Sequence, residues 1–316
     1  MNPILPGVPN RVNGLFCADQ SIRFSEAKLA EMVLRQVLNS QNADAFRRQI
    51  SCGKTPRLDQ LQGATLAGAM EMFAAANADP RASYLLDSIY EAACEGDHLW
   101  SQITAEWDRA TAAKLDENAF GRRTTEFYRL GSGDDQISDC FTMFQRRFTR
   151  NLTASSFPVG FALGLSKVFT EMTDNVVQHS EPPGRALSGL AGYHIRPNYM
   201  SFAVTDIGRG SLACLRQSAE WRHLTKASDA LIAIVHENAS SRTGHGEGEG
   251  FRQLFRTLVD RNVRIRLRSD DAAMVIHDAT HSREAASVIS PLLAGFQISV
   301  SCALNHPARE EVINSA

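Results

Sequence analysis

Six of the 21 glycines lie between residues 208 and 250, and they recur two residues apart: Gly208 and Gly210, then Gly244, Gly246, Gly248 and Gly250. The first pair closes a segment with strand periodicity. Met200, Phe202 and Val204 alternate there with Ser201, Ala203 and Thr205, and the run ends on Asp206. The second group stands directly before a helical segment that begins near Phe251. Alternating glycines let successive backbone N–H groups turn into one concavity, and the following helix adds its positive end. That combination makes a phosphate cradle. No Gly-Lys-Ser/Thr ends it, which excludes a Walker loop, and its spacing never produces the dinucleotide fingerprint GxGxxG. Taken alone, the loop fits a flexible Gly-rich linker as well, so its weight depends on its neighbours.

One neighbour is the segment Phe161 to His179, which has the period of an amphipathic helix. Glu171, Asn175 and His179 are spaced i, i+4, i+8 and share a stripe. Leu165, Val168, Phe169, Met172 and Val176 form the apolar face beside it. A carboxylate at such an edge can orient a water as general base, and an amide oxygen suits a hard cation such as Mg²⁺. An ordinary helix flank is the plain alternative. The other neighbour is Asp206-Ile207-Gly208-Arg209-Gly210. An acid at a strand end can accept a hydrogen bond from an exocyclic amine, and glycines let backbone pass close to a flat ring. Alone, DxGxG is a common turn.

Composition narrows the class without identifying it. Over 316 residues, 43% are apolar and 22% charged, enough for a sizeable core and for two domains. A net charge of −2 gives no electrostatic reason to expect nucleic acid or an acidic membrane as partner. The six cysteines form no CxxC pair, which removes zinc ribbons and thioredoxin-type chemistry. No N-terminal basic-then-apolar segment and no run of about 18 apolar residues is present, so the expectation is a cytoplasmic chain without membrane spans.

Residues from about 24 to 115 read as a run of helices, with Asp79-Pro80 as a start signal. A boundary near residue 120 divides a helical segment 1–120, suited to sensing, partner binding or dimerisation, from 121–316. In the second part Thr124–Leu130, Met200–Asp206, Val263–Leu267, Ala273–His277 and Phe296–Cys302 are the strand candidates. Helices are expected over 137–148, 161–179, 229–239 and 251–260. The class is α+β: an α/β sandwich with its helices on one face.

The ordered set of helix with Glu171-x-x-x-Asn175, strand with Asp206-x-Gly208-x-Gly210, and Gly-rich loop opening a helix resembles the GHKL superfamily. That group holds gyrase-type ATPases, heat-shock chaperones, sensor histidine kinases and mismatch-repair ATPases, and the resemblance spans about residues 125 to 304. It implies the Bergerat-type sandwich with bound ATP and Mg²⁺. Under it, Glu171 corresponds to the acid that positions the hydrolytic water, Asn175 to the Mg²⁺ ligand, and Asp206 to the adenine-reading acid, with Gly208 and Gly210 beside the base. Gly246, Gly248 and Gly250 correspond to the triphosphate loop, residues 211 to 245 to a mobile lid, and Arg242 and His245 to lid-end contacts with phosphate.

Two departures stand out. Glu247 and Glu249 separate the loop glycines where the family has small residues, and Gly295-Phe296 stands where it often has Gly-Thr. The resulting expectation is a slow Mg²⁺-dependent ATPase acting as a conformational switch, with a protein partner or a second copy of the chain. One alternative is a protein kinase acting on a separate partner, because the Glu171–His179 helix is similar to that of anti-sigma-factor serine kinases and of some sensor histidine kinases. A nucleotide-dependent interaction module that does not hydrolyse is the other. Gly53-Lys54-Thr55 is not a Walker tail, since Arg48 occupies the required glycine position, and His98 lacks the residues that follow a phospho-acceptor histidine.

Overall fold

Strand Asn262–Ile276 shows the architecture in its own alternation. Val263, Ile265 and Leu267 project to one side and join the main hydrophobic core, while Arg266 and Arg268 project to the other side and are also buried. A strand of this pattern needs cover on both faces, and both are covered. The computed structural model describes residues 66–78, 101, 103, 125–130, 139–179, 189–240, 249–259 and 261–304.

Among the described residues five strands form one antiparallel sheet: β1 (Thr125–Leu130), β2 (Gly189–Arg196), β3 (Tyr199–Asp206), β4 (Asn262–Ile276) and β5 (Ser287–Ala303), in the spatial order β1-β2-β3-β5-β4. The described helices are α1 (Leu66–Ala78), α2 (Asp139–Ala154), α3 (Val159–His179), α4 (Gly210–Leu215), α5 (Ala227–Ile232) and α6 (Glu249–Leu258). A wider π turn, Ala233–Glu237, continues α5 and ends at Asn238 in the left-handed region. The molecule is therefore a mixed α+β structure with an open antiparallel sheet.

On the first face, Ala191, Tyr193 and Ile195 of β2, Met200, Phe202 and Val204 of β3, and Ile298, Val300 and Cys302 of β5 meet the helices. Aromatic rings dominate the centre. Phe148 of α2 lies 4.5 Å from Phe169 of α3 and 5.2 Å from Tyr193, and Phe169 meets Phe202 edge-on at 5.3 Å. The polar groups at this core are paired: Arg147 donates to Glu126 at 2.8 Å, and Asn151 donates to the Tyr193 hydroxyl at 3.2 Å.

The second face is covered by a helix from the 1–120 segment, while the described helices of 121–316 all join the core of the first face. Helix α1 packs on β2, β3 and β5 from the opposite side. Its Leu66, Ala69, Met70, Phe73 and Ala74 form an i, i+3, i+4, i+7, i+8 stripe, and all are buried. Each of the large ones contributes roughly 1.5–3 kcal/mol relative to exposure. Glu71, fully buried, meets Arg268 at 3.0 Å and Arg266 at 3.4 Å. The alternating arginines of β4 thus face a carboxylate carried by α1. Helices read from residues 24–65 and 79–100, and the Asp79-Pro80 start signal, lie outside the described residues.

Two strand readings also change. Strand β2, buried at all eight residues like β3, reads Gly-Leu-Ala-Gly-Tyr-His-Ile-Arg without polar–apolar alternation, and period-two patterning misses it. Ala273–Ile276 is not a separate strand. It continues β4 beyond irregularities at Ser269, Asp270 and Ala272, where the register with β5 shifts.

Candidate functional site

Two of the chemical motifs and the last glycine of the third, Gly250, lie toward one end of the sheet, on the face that carries α3. Asp206 is the last residue of β3, and two-residue alternation from Val204 turns it toward that face. It is 6% exposed, and its Oδ1 accepts the Gly208 N–H at 2.7 Å. Burial pushes its carboxyl up to about 7; backbone N–H bonds from Gly208 and Phe296 act against that rise, and the charge of Asp270 adds to it. An acid in that state sits between acceptor and donor near neutrality.

Helix α3 approaches Asp206 through β2. Gly189 is the register partner of Asp206, and the Val176 side chain fills the place where a Gly189 Cβ would stand. Asn175 therefore lies one residue from the helix's contact with this strand end, and Glu171 lies one turn earlier; both are half-buried. On the other side of α3, Gly250 in the first turn of α6 is so close that a Cβ there would come 2.9 Å from Met172 Cε and 3.4 Å from Glu171 Cβ. Antiparallel packing of α3 on α6 continues to Gly164, which abuts Thr257. The sequence-predicted residues Glu171, Asn175, Asp206, Gly208, Gly210 and Gly250 are thus drawn to one end of the sheet. Arg242, His245, Gly246 and Gly248 lie outside the described residues, as do the side chains of residues 177–179, His179 among them.

The turn after Asp206 is held from β4 and β5. Gly210 has φ +75, and both Asp270 oxygens lie 2.7 Å from the position a Gly210 Cβ would take. The Ser211 N–H donates to Ser269 Oγ at 2.8 Å, and that hydroxyl donates to the Gly295 carbonyl at 3.1 Å. Gly295 has φ +84, and a Cβ there would overlap the Asp206 carbonyl. Gly295→Ala is therefore expected to lower stability by about 2–4 kcal/mol, read as a shift in the urea midpoint at unchanged m-value.

Asp270, Ser269 and Phe296 escape motif reasoning. The only signal for Asp270 is that Ser269-Asp270-Asp271 breaks the alternation running from Val263 to Leu267. The structure turns that break into a residue at φ +50, re-aimed at the DxGxG turn. Burial raises the Asp270 carboxyl to about 6, against the lowering effect of the Ser269 hydrogen bond.

The expected mobile lid over 211–245 is corrected for most of its length. Residues 211–240 form α4, α5 and the π turn, and Leu215, Trp221, Leu224, Leu231, Ile234 and Val235 are buried in the main core. Side chains so placed anchor the segment to the sheet. Residues 241–248 lie outside the described residues.

Among the described residues no group of three or more His, Cys, Asp or Glu side chains forms a ready metal cage, and no helix is long and apolar enough to cross a membrane. No protein-family model matches the chain, and no curated protein matches it either.

Proposed function

We propose that this chain is an ATP-binding protein of the GHKL kind, using residues from about 125 to 304, and that it hydrolyses ATP slowly as a conformational switch in a regulatory system. The observation that carries the proposal is Asp206: a buried carboxyl at a strand end, among glycines of positive φ, level with the helix that bears Glu171 and Asn175. Its ionised form accepts the exocyclic amine of adenine, and Gly208 beside it carries no Cβ to crowd the ring, while the space left at Gly210 takes the Asp270 carboxylate that holds the turn. The first turn of α6 lies against Glu171, so phosphates held at that helix start stand beside the carboxylate.

The donor set fits Mg²⁺ of the kind that is shared with phosphates, which needs only one or two protein ligands. Asn175 supplies the amide oxygen. The ion, when bound, neutralises charge on the phosphates during transfer. Glu171 orients the attacking water and accepts its proton, and loop amides stabilise charge that develops on the γ-phosphoryl oxygens. A protein partner or a second copy of the chain would read the bound state.

The test is ATP binding and phosphate release by the full chain with Mg²⁺, for wild type, Glu171→Ala and Asp206→Asn. Wild type is expected to bind and release phosphate slowly, Glu171→Ala to bind with release reduced at least 100-fold, and Asp206→Asn to bind poorly. Absence of adenine-nucleotide binding by wild type would remove the proposal. Binding without release would leave an interaction module, and label transfer from γ-labelled ATP to a second protein would identify a kinase.

A further inference from the structure

One row of side chains crosses the site end of the sheet. Ser269 of β4 pairs with Phe296 of β5, and Phe296 lies one step beyond the Thr205–Gln297 pair, level with Asp206 of β3. All three sit in phase with residues of the main core: Val204 for Asp206, Ile298 for Phe296 and Leu267 for Ser269. Phe296 is thus the β5 residue next beyond the last β3–β5 pair, as Asp206 is on β3. The Phe296 backbone N–H also bonds the Asp206 carboxyl.

The ring is not part of the sealed interior. Phe296 is only partly buried against the core, as is Phe251. The two rings meet edge to face, with centroids 6.3 Å apart at 83°. Phe251 directly follows Gly250, whose surroundings are Met172 and Glu171. An aromatic pair therefore links the residue whose N–H bonds the acid at the strand end to the first turn of α6, and both of its members are partly exposed. A strand end of this kind needs no aromatic pair for its own packing, because Ile298, Val300 and Cys302 already fill the core below it.

We propose that Phe296, braced by Phe251, is a specificity-determining wall on which a flat purine ring stacks while its exocyclic amine reaches Asp206. This rests on the ATP-binding reading above. Stacking energy grows with ring area and is indifferent to the pattern of ring nitrogens, whereas the carboxylate reads the amine. The pocket then prefers a large ring with an amine over a small ring with one, so ATP binds better than CTP although both offer an amine.

The experiment compares equilibrium binding of ATP and CTP to the full chain in wild type, Phe296→Leu and Phe296→Trp, with thermal melts to verify folding. Phe296→Leu keeps apolar volume and removes the ring. It is expected to weaken ATP about 10- to 100-fold, to weaken CTP less, and so to shrink the ATP/CTP ratio, while Phe296→Trp restores both affinity and ratio. Phe251→Leu, which removes only the brace, is expected to move the ratio in the same direction by a smaller factor. A folded Phe296→Leu protein with wild-type ATP affinity and an unchanged ratio overturns the wall, even where wild type binds ATP well. Failure of wild type to bind either nucleotide overturns the site itself, a separate result. Equal loss for ATP and CTP marks Phe296 as a packing residue and also overturns the proposal.

Discussion

Glu71→Gln is expected to cost about 3–5 kcal/mol of folding stability, the range found when one partner of a buried ion pair is removed. Glu71 and Arg268 are both fully shielded from water, and Arg266 is nearly so. Gln preserves the shape of the side chain but leaves two guanidinium groups facing a neutral amide with no water to take over. Equilibrium urea unfolding measures the loss. A variant with Met at all three positions is expected to recover most of it, because the desolvation penalty of the three charges disappears together. A Glu71→Gln protein within about 1 kcal/mol of wild type would mean that α1 does not cover the arginine face. The result therefore also tests whether a helix from the first third of the chain belongs to the sheet built by the last two thirds.

Affinity for ATP is expected to rise with pH through about 7 and to level off above it, because only ionised Asp206 accepts the adenine amine and burial holds that carboxyl up to about 7. Binding at pH 7 then releases about half a proton, visible as a dependence of the calorimetric heat on the ionisation enthalpy of the buffer. The stability of the free protein runs the other way. A group whose folded pKa lies above its unfolded value of 3.8 binds more protons when folded, so its contribution is greatest at low pH and is lost as pH climbs from about 4 to 7. Asp270, raised to about 6, acts in the same direction over a narrower window. Asp206→Asn should remove the pH dependence of binding, flatten the stability profile between about pH 4 and 7, and weaken ATP by roughly 10- to 100-fold. ATP affinity that stays constant from about pH 6 to 8 would take Asp206 out of the role of base reader.

Several elements were legible from the residue pattern itself. Helices α2 and α3 show 3.6-residue periodicity, and β3 and the first half of β4 alternate large apolar with small, polar or charged residues although both of their faces are covered. Strand β2, equally buried, has no such alternation in Gly-Leu-Ala-Gly-Tyr-His-Ile-Arg and left no trace. The segment after Gly210 misled for a different reason: a family resemblance implies a lid there, but the apolar residues Leu215, Trp221, Leu224 and Leu231 bind it to the core. Leucines and a tryptophan at that density were already a sign of burial.

The site divides along the same line. Glu171, Asn175, Asp206 and the paired glycines could be chosen from sequence because their chemistry is local: an acid ending a strand, an amide one helical turn from a carboxylate, backbone free of Cβ. What sequence alone determined is therefore the chemical inventory and its order along the chain. Tertiary structure decided the company those groups keep. Asp270 reaches Gly210 only because a register shift and a left-handed residue turn it around; Phe296 stands beside Asp206 only because β5 inserts between β3 and β4; and the arginines of β4 are buried only because α1 brings Glu71 across. Each of these depends on contacts between residues about 60 to about 200 positions apart, and the period of a strand or helix carries no information over that range. The sheet order supplies it, and with it the burial that pushes Asp206 up to about 7.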